Sequence, residues 1–576
     1  MAMFSGTKLQ VCTYLFGVCL FSIAFLVYLN SSVSFVVTDL IGLDHGIGDA
    51  IGTLGFADEL LALVACPVWG LLSDRIGIRY VCVAGYAIIA LSLALFVQAK
   101  NVYPQLLLGR LLFSLGGSAV TTMVTAILPC IASNGPAKHA SSSNDETNLQ
   151  DREASAHFRQ DSNYSEHDED EETLVVNSDP SPPPNSFGYR QRGGASKLAG
   201  LVGTFTGCGA VFALVVLLPL PARFEKSGLS APDSVKRSFY VVAVVSLVIA
   251  VFCFIGLRKL GGEKPGNWKA TFRRFGQSRA DESSDADREL GYCPASYWTQ
   301  FKTSVCLGFT CANIGLAYIG GFVARASSVG ISLFIPMYVN QYYRRNDLCG
   351  NDNSDVDAAG LGNIKQSCPK AYIAASILTG VSQLVALCTA PVLGYLSSRS
   401  HRYNTPLLLA CLSGTIGYPL FVLLPSPKVE GNVPAFIAMI LIGISQIGAI
   451  VCSLGLLGDE VLHRESIKDH ATTMASSDND EAISPLSQPT EEQAGLLSGY
   501  SNTNDDVGGH DLTIYKGSIA GVYSLFGGAG ILILTKVGGL MSDKVHPASP
   551  FYILAGFNGL LLLSGLAITL SRMLRD

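Results

Sequence analysis

The sequence predicts an all-α membrane protein, and three observations point to this fold class. The 576-residue chain is 49% hydrophobic and only 15% charged, with a mean hydropathy of +0.37, which is too apolar for a typical soluble protein. Its apolar residues form long runs, each near the ~20 residues that a helix needs to cross a bilayer. Blocks of sequence in the first half recur in the second half, which indicates a duplicated architecture.

The apolar runs predict twelve spans. We place them at residues 11–38, 53–72, 80–98, 105–131, 197–219, 237–257, 318–342, 371–396, 405–425, 433–458, 515–540 and 549–571. The seventh span has two interpretations, because residues 303–317 are also apolar: the helix either begins earlier or follows a surface helix. We expect no cleavable signal peptide, since the first run is too long and leads directly into further spans.

Basic residues orient the predicted spans. If the spans alternate in direction, one face carries most of the positive charge, namely Lys8, the 75–79 loop, residues 258–302, the 399–402 turn, Arg572 and Arg575. The positive-inside rule assigns that face to the cytosol. Arg344 and Arg345 fall on the opposite face, so the rule holds by majority.

A ten-residue block is repeated about three hundred residues along the chain. Residues 66–75 (CPVWGLLSDR) align with residues 390–399 (APVLGYLSSR), with Ser398 in the place of Asp74. In a second pair of blocks, Gly200, Gly207 and Gly209 align with Gly521, Gly528 and Gly530 at nearly the same offset, so the chain has two homologous halves. Its glycines are expected to let helices pack closely and flex, and they are Gly200, Gly207 and Gly209 in the first half and Gly521, Gly528 and Gly530 in the second.

The loop between the second and third spans resembles the signature of a known family. In the major facilitator superfamily this loop reads Gly-x-x-x-Asp-Arg/Lys-x-Gly-Arg/Lys-Arg/Lys. The matching residues here are Gly70, Asp74, Arg75, Gly77 and Arg79, while Ile78 replaces a basic residue. The resemblance implies two pseudo-symmetric six-helix bundles around a central cavity, and transport by alternating access.

The same resemblance implies a gating role for this loop. Asp74 can pair with Arg75, with Arg79 or with the amide end of a neighbouring helix, and such contacts latch the two halves of family members in the outward-open state. The alternative is that the loop serves only as an orientation signal and helix cap.

Ionisable residues within the spans are candidates for proton coupling. Asp58 and Glu59 lie ~22–24 Å from Asp74 at ~1.5 Å per residue, which places both carboxylates inside the membrane. Arg110 opens the fourth span at a similar depth and matches the arginine of the family's fourth-helix motif. Because buried charges normally face a cavity, an acid beside an arginine can exchange protons as the cavity opens. The alternative is a structural ion pair that neutralises itself.

Other polar residues are expected to line the cavity. Gln383 occupies the repeat position of Glu59, so the second half keeps polarity there and loses the charge. Arg325 either binds an anionic group of the substrate or extends to the cytosolic face. Asn30 and Gln446 complete this set; each either faces the solute or bonds to neighbouring helices.

Two long polar segments interrupt the spans. Residues 132–196 and 459–514 hold much of the acidic charge behind the net charge of −6, and we predict that both are disordered and cytosolic. The first bundle then comprises 1–131 and 197–257, the second 303–458 and 515–576, and a cytosolic loop, 258–302, joins them.

Two features suggest where the protein resides. Glu492, Leu496 and Leu497 have the acidic-x-x-x-Leu-Leu form of a sorting signal read by clathrin adaptors, which implies a vacuolar, lysosome-like membrane; the plasma membrane is the alternative. Cys349 and Cys368 lie in a polar loop on the opposite face, where an oxidising environment would allow a disulfide between them; otherwise both remain thiols.

These patterns favour a transporter of a small organic solute coupled to protons. An uncoupled facilitator and a non-transporting membrane sensor or scaffold are the alternatives. We expect no enzyme activity, cofactor, metal site or nucleic-acid partner, because the chain has no Ser/His/Asp triad, HExxH or CxxC pattern and no metal-ligand spacing. We also expect a monomer, and the long loops are typical of a eukaryotic, fungal-like family member.

Overall fold

The computed structural model describes residues 6–42, 47–132, 194–258, 260, 297–346, 348, 368–400, 404–424, 432–480 and 515–574. Within these residues the protein is almost entirely helical and contains no strand. All-helical structure is expected in a bilayer, because a helix satisfies its own backbone hydrogen bonds where water is absent.

Thirteen helices organise the described part of the chain. In the first half they are α1 (Lys8–Thr38), α2 (Ile51–Ile76), α3 (Ile78–Phe96), α4 (Val102–Ala132), α5 (Gly194–Lys226) and α6 (Pro232–Gly256). A shorter helix, α7 (Tyr297–Thr310), precedes the second half. The second half holds α8 (Ala312–Arg345), α9 (Lys370–Arg399), α10 (Thr405–Leu423), α11 (Val433–Asp480), α12 (Lys516–Lys544) and α13 (Ser549–Met573).

The twelve predicted spans are confirmed, since twelve of these helices are long and apolar enough to cross a membrane. Both interpretations of the seventh span hold in part. The membrane helix α8 begins at Ala312, earlier than predicted, and it also follows the separate helix α7. The break falls at Cys311, whose backbone is extended, with φ −108° and ψ 104°.

The structure differs from the prediction at the end of the tenth span. Helix α11 continues to Asp480, so the polar segment that we predicted as disordered from 459 onwards starts with helix. No glycine or proline interrupts residues 459–480. The Arg464 side chain also pairs with Glu460 one turn earlier at 3.4 Å, an arrangement that supports a helix.

The outer surface of the bundles is apolar, as lipid contact requires. On α6, Val244, Val248 and Val251 are each more than half exposed and recur at helical spacing. The opposite side of the same helix is buried, and the Phe239 ring stacks on Phe96 of α3 with 5.7 Å between centroids. One helix thus faces lipid on one side and the core of its own bundle on the other.

The repeated glycine blocks meet at the interface between the two halves. Gly70 on α2 packs against Gly521 on α12, where an added Cβ would lie 2.9 Å from the Gly521 Cα. Gly200 on α5 packs against Gly394 on α9 with the same 2.9 Å approach. Since the sequence repeat pairs Gly70 with Gly394 and Gly200 with Gly521, these contacts are equivalent, and the halves are related by a pseudo-twofold axis.

Interruptions of the helices follow the same symmetry. Helix α5 contains a π-helical turn at Ala213–Leu217, and α12 contains one at Leu534–Gly538. These turns are separated by the same number of residues as Gly200 and Gly521. The duplication therefore preserves local backbone irregularities as well as contacts.

Candidate functional site

A buried ion pair lies between three helices of the first half. The Arg110 guanidinium on α4 is 2.6 Å from the Asp58 carboxylate on α2, and it also donates a hydrogen bond to the Asn30 side-chain oxygen on α1. Asp58 is 7% exposed and Arg110 is 5% exposed. Ser114, one turn after Arg110, donates its hydroxyl to the Asp58 backbone carbonyl at 2.8 Å. The structure therefore brings together three of the residues predicted for the cavity.

Glu59 faces a different direction from its neighbour Asp58, because successive residues of a helix are rotated by about 100°. It is half-buried, and its charge interacts with Arg325 on α8 of the second half as well as with Arg110. Arg325 lies beside Gly527 on α12, where an added Cβ would be 2.8 Å from the arginine Cγ. An acidic residue of the first half and a basic residue of the second half therefore attract each other.

Amide side chains occupy the corresponding region of the second half. Gln383 on α9 donates to the Gln446 side chain on α11 at 3.4 Å, and Gln446 donates to the Ser328 hydroxyl on α8 at 3.0 Å. Ser328 lies three residues after Arg325, on the same side of α8. The sequence analysis did not include Ser328 in the cavity set, although this spacing could have indicated it.

The segment of residues 70–79 contacts the second half through Asp74. Its carboxylate accepts hydrogen bonds from the backbone N–H groups of Gly517 at 2.6 Å and Ser518 at 2.8 Å, at the start of α12. These first-turn amides have no partner within their own helix, and the helix dipole favours a negative charge there. Of the three predicted kinds of partner for Asp74, the structure places the helix amides against it.

The two arginines of the 70–79 segment pack against aromatic rings. The Arg75 guanidinium lies 3.5 Å from the Tyr297 ring centroid, and the Arg79 guanidinium lies 3.9 Å from that of Phe254. Gly77 separates α2 from α3 with a φ of 104°, a conformation that side chains with a Cβ rarely adopt.

Helix α7 is a part of this site that the sequence analysis missed. Its Gln300 donates to the Asp74 carboxylate at 2.9 Å, while its Tyr297 lies under Arg75. The helix therefore contacts the segment at both Asp74 and Arg75. Its amphipathic residues gave no motif by which the sequence alone could assign this position.

Two more of the predicted glycines also lie at the interface between halves. A Cβ on Gly207 of α5 would lie 2.9 Å from the Leu387 side chain of α9, and one on Gly528 of α12 would lie 3.3 Å from Leu63 of α2. The other two pack inside their own half: Gly209 lies against the backbone of α1 at Leu20, and Gly530 lies against that of α8 at Phe322.

Several predictions concern residues outside the part of the chain that the structure describes. Glu492, Leu496, Leu497 and Cys349 fall there. Cys368 is disulfide-bonded in the structure, and its pairing with Cys349 stays a prediction. Among the described residues, no group of three or more His, Cys, Asp or Glu side chains could hold a metal ion.

Comparison with known proteins places this architecture among transporters. Residues 20–134 and 187–475 match the family model of the Major Facilitator Superfamily. The proton:xylose symporter XylE, solved with 6-bromo-6-deoxy-D-glucose, is 10% identical over 96% of this chain and 94% of its own, with a TM-score of 0.50.

Two other solved structures are similar at lower TM-scores. The human organic anion transporter MFSD10 is 11% identical over 97% of this chain and 99% of its own, with a TM-score of 0.47. FucP in its outward conformation is 13% identical over 97% of both chains, with a TM-score of 0.49. No curated protein matches the chain in sequence. Because the family model covers well over half of the sequence, the chain belongs to the Major Facilitator Superfamily.

Proposed function

We propose that this protein moves a small organic solute across its membrane by alternating access and couples that movement to protons through Asp58 and Glu59. The observation that carries the coupling is the buried Asp58–Arg110 contact of 2.6 Å. A carboxylate in the membrane is normally retained for a function, since its burial is costly. Movement of α2 relative to α4 would change its access to water and to Arg110, and thereby its affinity for a proton.

Glu59 supports the coupling from the side of the second half. Its charge interacts with Arg325, and the two residues belong to halves that must move apart during transport. When Glu59 takes up a proton, its attraction to Arg325 is lost, and Arg325 becomes available to a polar or anionic group of the solute. Proton binding and solute binding would then depend on the same arginine.

The interfaces between the halves support alternating access. Gly70 with Gly521 and Gly200 with Gly394 close the ends of the helices on the face where α1 begins and α13 ends, which we call the terminal face. Small residues at both contacts let the halves rock against each other without side-chain obstruction. If basic residues orient the protein as proposed, the terminal face is cytosolic and this state is closed to the cytosol.

The experiment that tests the proposal begins by identifying the solute. The metabolites of isolated vacuoles and of cytosol are compared in cells with and without the protein. The solute that differs is then offered to proteoliposomes with and without a pH gradient. We expect the gradient to drive uptake by the wild type and by the exposed-carboxylate control Asp543→Asn, and not by Asp58→Asn or Glu59→Gln.

The other outcomes distinguish the alternatives. If the wild type takes up the solute at the same rate with and without the pH gradient, the protein is an uncoupled facilitator. Unchanged metabolites in both compartments, together with a phenotype on deletion of residues 481–514, would indicate a sensor or scaffold.

We propose the vacuolar membrane as the location. The sequence around Glu492, Leu496 and Leu497 supports this, because it has the form of a sorting signal recognised by clathrin adaptors. Replacing both leucines with alanine should move a fluorescently tagged protein from the vacuole to the plasma membrane. Unchanged vacuolar fluorescence would exclude this signal as the determinant.

A further inference from the structure

A buried aspartate lies at the second interface between the halves. Asp459 on α11 accepts a hydrogen bond of 2.6 Å from the Ser196 hydroxyl at the start of α5. Asp459 is 8% exposed and Ser196 is 2% exposed. Ser397 on α9 in turn donates its hydroxyl to that of Ser196 at 3.3 Å. Side chains from three helices of both halves therefore meet at the terminal face.

The sequence repeat does not supply this aspartate. The counterpart of Asp74 in the second half is Ser398, and its hydroxyl donates to the Tyr395 carbonyl of its own helix at 2.7 Å. It therefore makes no equivalent contact to α5. The carboxylate at this interface comes instead from α11, and Ser196 stands at the repeat position of Gly517.

Close packing fixes the position of Asp459. Gly455, one turn earlier on α11, lies so near that an added Cβ would be 2.8 Å from the Ser196 hydroxyl. A Cβ on Gly458 would lie 2.8 Å from that of Ala195. A buried carboxylate is costly unless it is hydrogen-bonded, and bonds to a charged acceptor are among the stronger ones. Separation of α5 from α11 would break such a bond.

We propose that Asp459 and Ser196 form a second latch, which holds α5 against α11 as Asp74 holds α2 against α12, and which must open whenever the terminal face opens. This inference rests on the proposed alternating access. The two latches are chemically different, because one uses backbone amides and the other a serine hydroxyl, and they come from non-equivalent helices.

Hydrogen exchange of the full-length protein in lipid nanodiscs tests the second latch. The amides of Gly517 and Ser518 report on closure, since they are hydrogen-bonded to Asp74 at the other interface. In Asp459→Asn we expect exchange about tenfold faster both at residues 194–200 and at 517–518, the change expected for loss of one charge-assisted hydrogen bond. Ser196→Ala, which removes only a hydroxyl, should act in the same direction.

The matched control is Ser398→Ala, which removes a buried hydroxyl of α9 that stays within its own helix; it should exchange as the wild type does. Faster exchange confined to residues 194–200 would overturn the proposal, because it would indicate local loosening without opening. Unchanged exchange in both Asp459→Asn and Ser196→Ala would also overturn it. This measurement uses no solute and no pH gradient. It therefore tests the second latch even if the proposed proton coupling is wrong.

Discussion

The Asp74 carboxylate is hydrogen-bonded to the backbone N–H of Gly517 at 2.6 Å, although the two residues belong to different halves of the protein. The aspartate lies in the last turn of one membrane helix, and the glycine lies in the first turn of another. Because a helix start carries partial positive charge, this contact joins the halves without a basic side chain. It also explains why a glycine suits position 517, where an added Cβ would lie 2.6 Å from the carboxylate oxygen.

Asp74→Asn should weaken closure of the terminal face. An asparagine has one acceptor oxygen and no charge, so it cannot hold both amides as the carboxylate does, and we expect a loss of ~1–3 kcal/mol. Site-resolved alkylation of Cys66, a buried thiol on α2, should be faster in the variant, with the exposed Cys12 as internal reference. Gln300→Ala removes only one donor to Asp74 and should have a smaller effect; equal rates in all three proteins would contradict the latch.

The sequence could predict what depends on periodicity and duplication. Hydropathy located all twelve spans, and the repeat at 66–75 and 390–399 predicted two equivalent halves. Counting residues along helices gave the relative depths of Asp58 and Arg110, because the rise per residue is nearly constant. These features follow from one helix or from the repeat, so no contact had to be known.

Contacts that break the repeat could not be predicted in this way. The carboxylate at the second interface belongs to Asp459 on α11, whereas the repeat would place it on α9. Only the packing of α5 against α11 reveals this contact. The sequence placed Asn30 among the cavity residues but did not predict its bond to Arg110, since a helix that is apolar almost all round gives little indication of its facing side. The contacts of α7 with Asp74 and Arg75 were missed, because they depend on where a long connecting segment returns to the bundle.

Gly70→Ala should destabilise the closed terminal face. Its Cβ would lie 2.9 Å from the Gly521 Cα, so the two backbones must separate, and overpacking of this kind costs ~1–3 kcal/mol. Gly55→Ala is the matched control on the same helix, since an added Cβ there has no neighbour within 4 Å. Thermal unfolding in nanodiscs should show a lower Tm for Gly70→Ala alone. Equal Tm values for the two variants would mean that the interface adjusts without strain.

Tyr297→Leu should release α7 from the 70–79 segment. The substitution removes the ring beneath the Arg75 guanidinium, a cation–π contact worth ~0.5–2 kcal/mol, while it retains an apolar side chain. Limited proteolysis should then cleave between residues 297 and 310 faster than in the wild type. Trp298→Leu alters a neighbouring ring that is 71% exposed, and cleavage there should be unchanged. Equal acceleration in both variants would assign the effect to general loss of aromatic side chains.

Charge removal at Asp58 or Arg110 should be more damaging singly than jointly. Asp58→Asn leaves a buried guanidinium without its paired carboxylate, and Arg110→Gln leaves the buried carboxylate without its paired guanidinium, so each should cost ~3–5 kcal/mol. The double variant places an amide on each side and should recover most of the stability in thermal unfolding. The pair of Glu460 and Arg464, whose side chains are 16% and 40% exposed, serves as a less buried comparison; its two glutamine variants should each cost less than those of Asp58 and Arg110.

The double variant also separates structure from transport. If the pair exists only to neutralise itself, the double variant should take up solute as the wild type does. If Asp58 carries the proton, the double variant should fold normally and lose the response to a pH gradient, since neither amide titrates. If the single variants are instead as stable as the wild type, water solvates the charge that remains. The pair would then make no measurable contribution to stability.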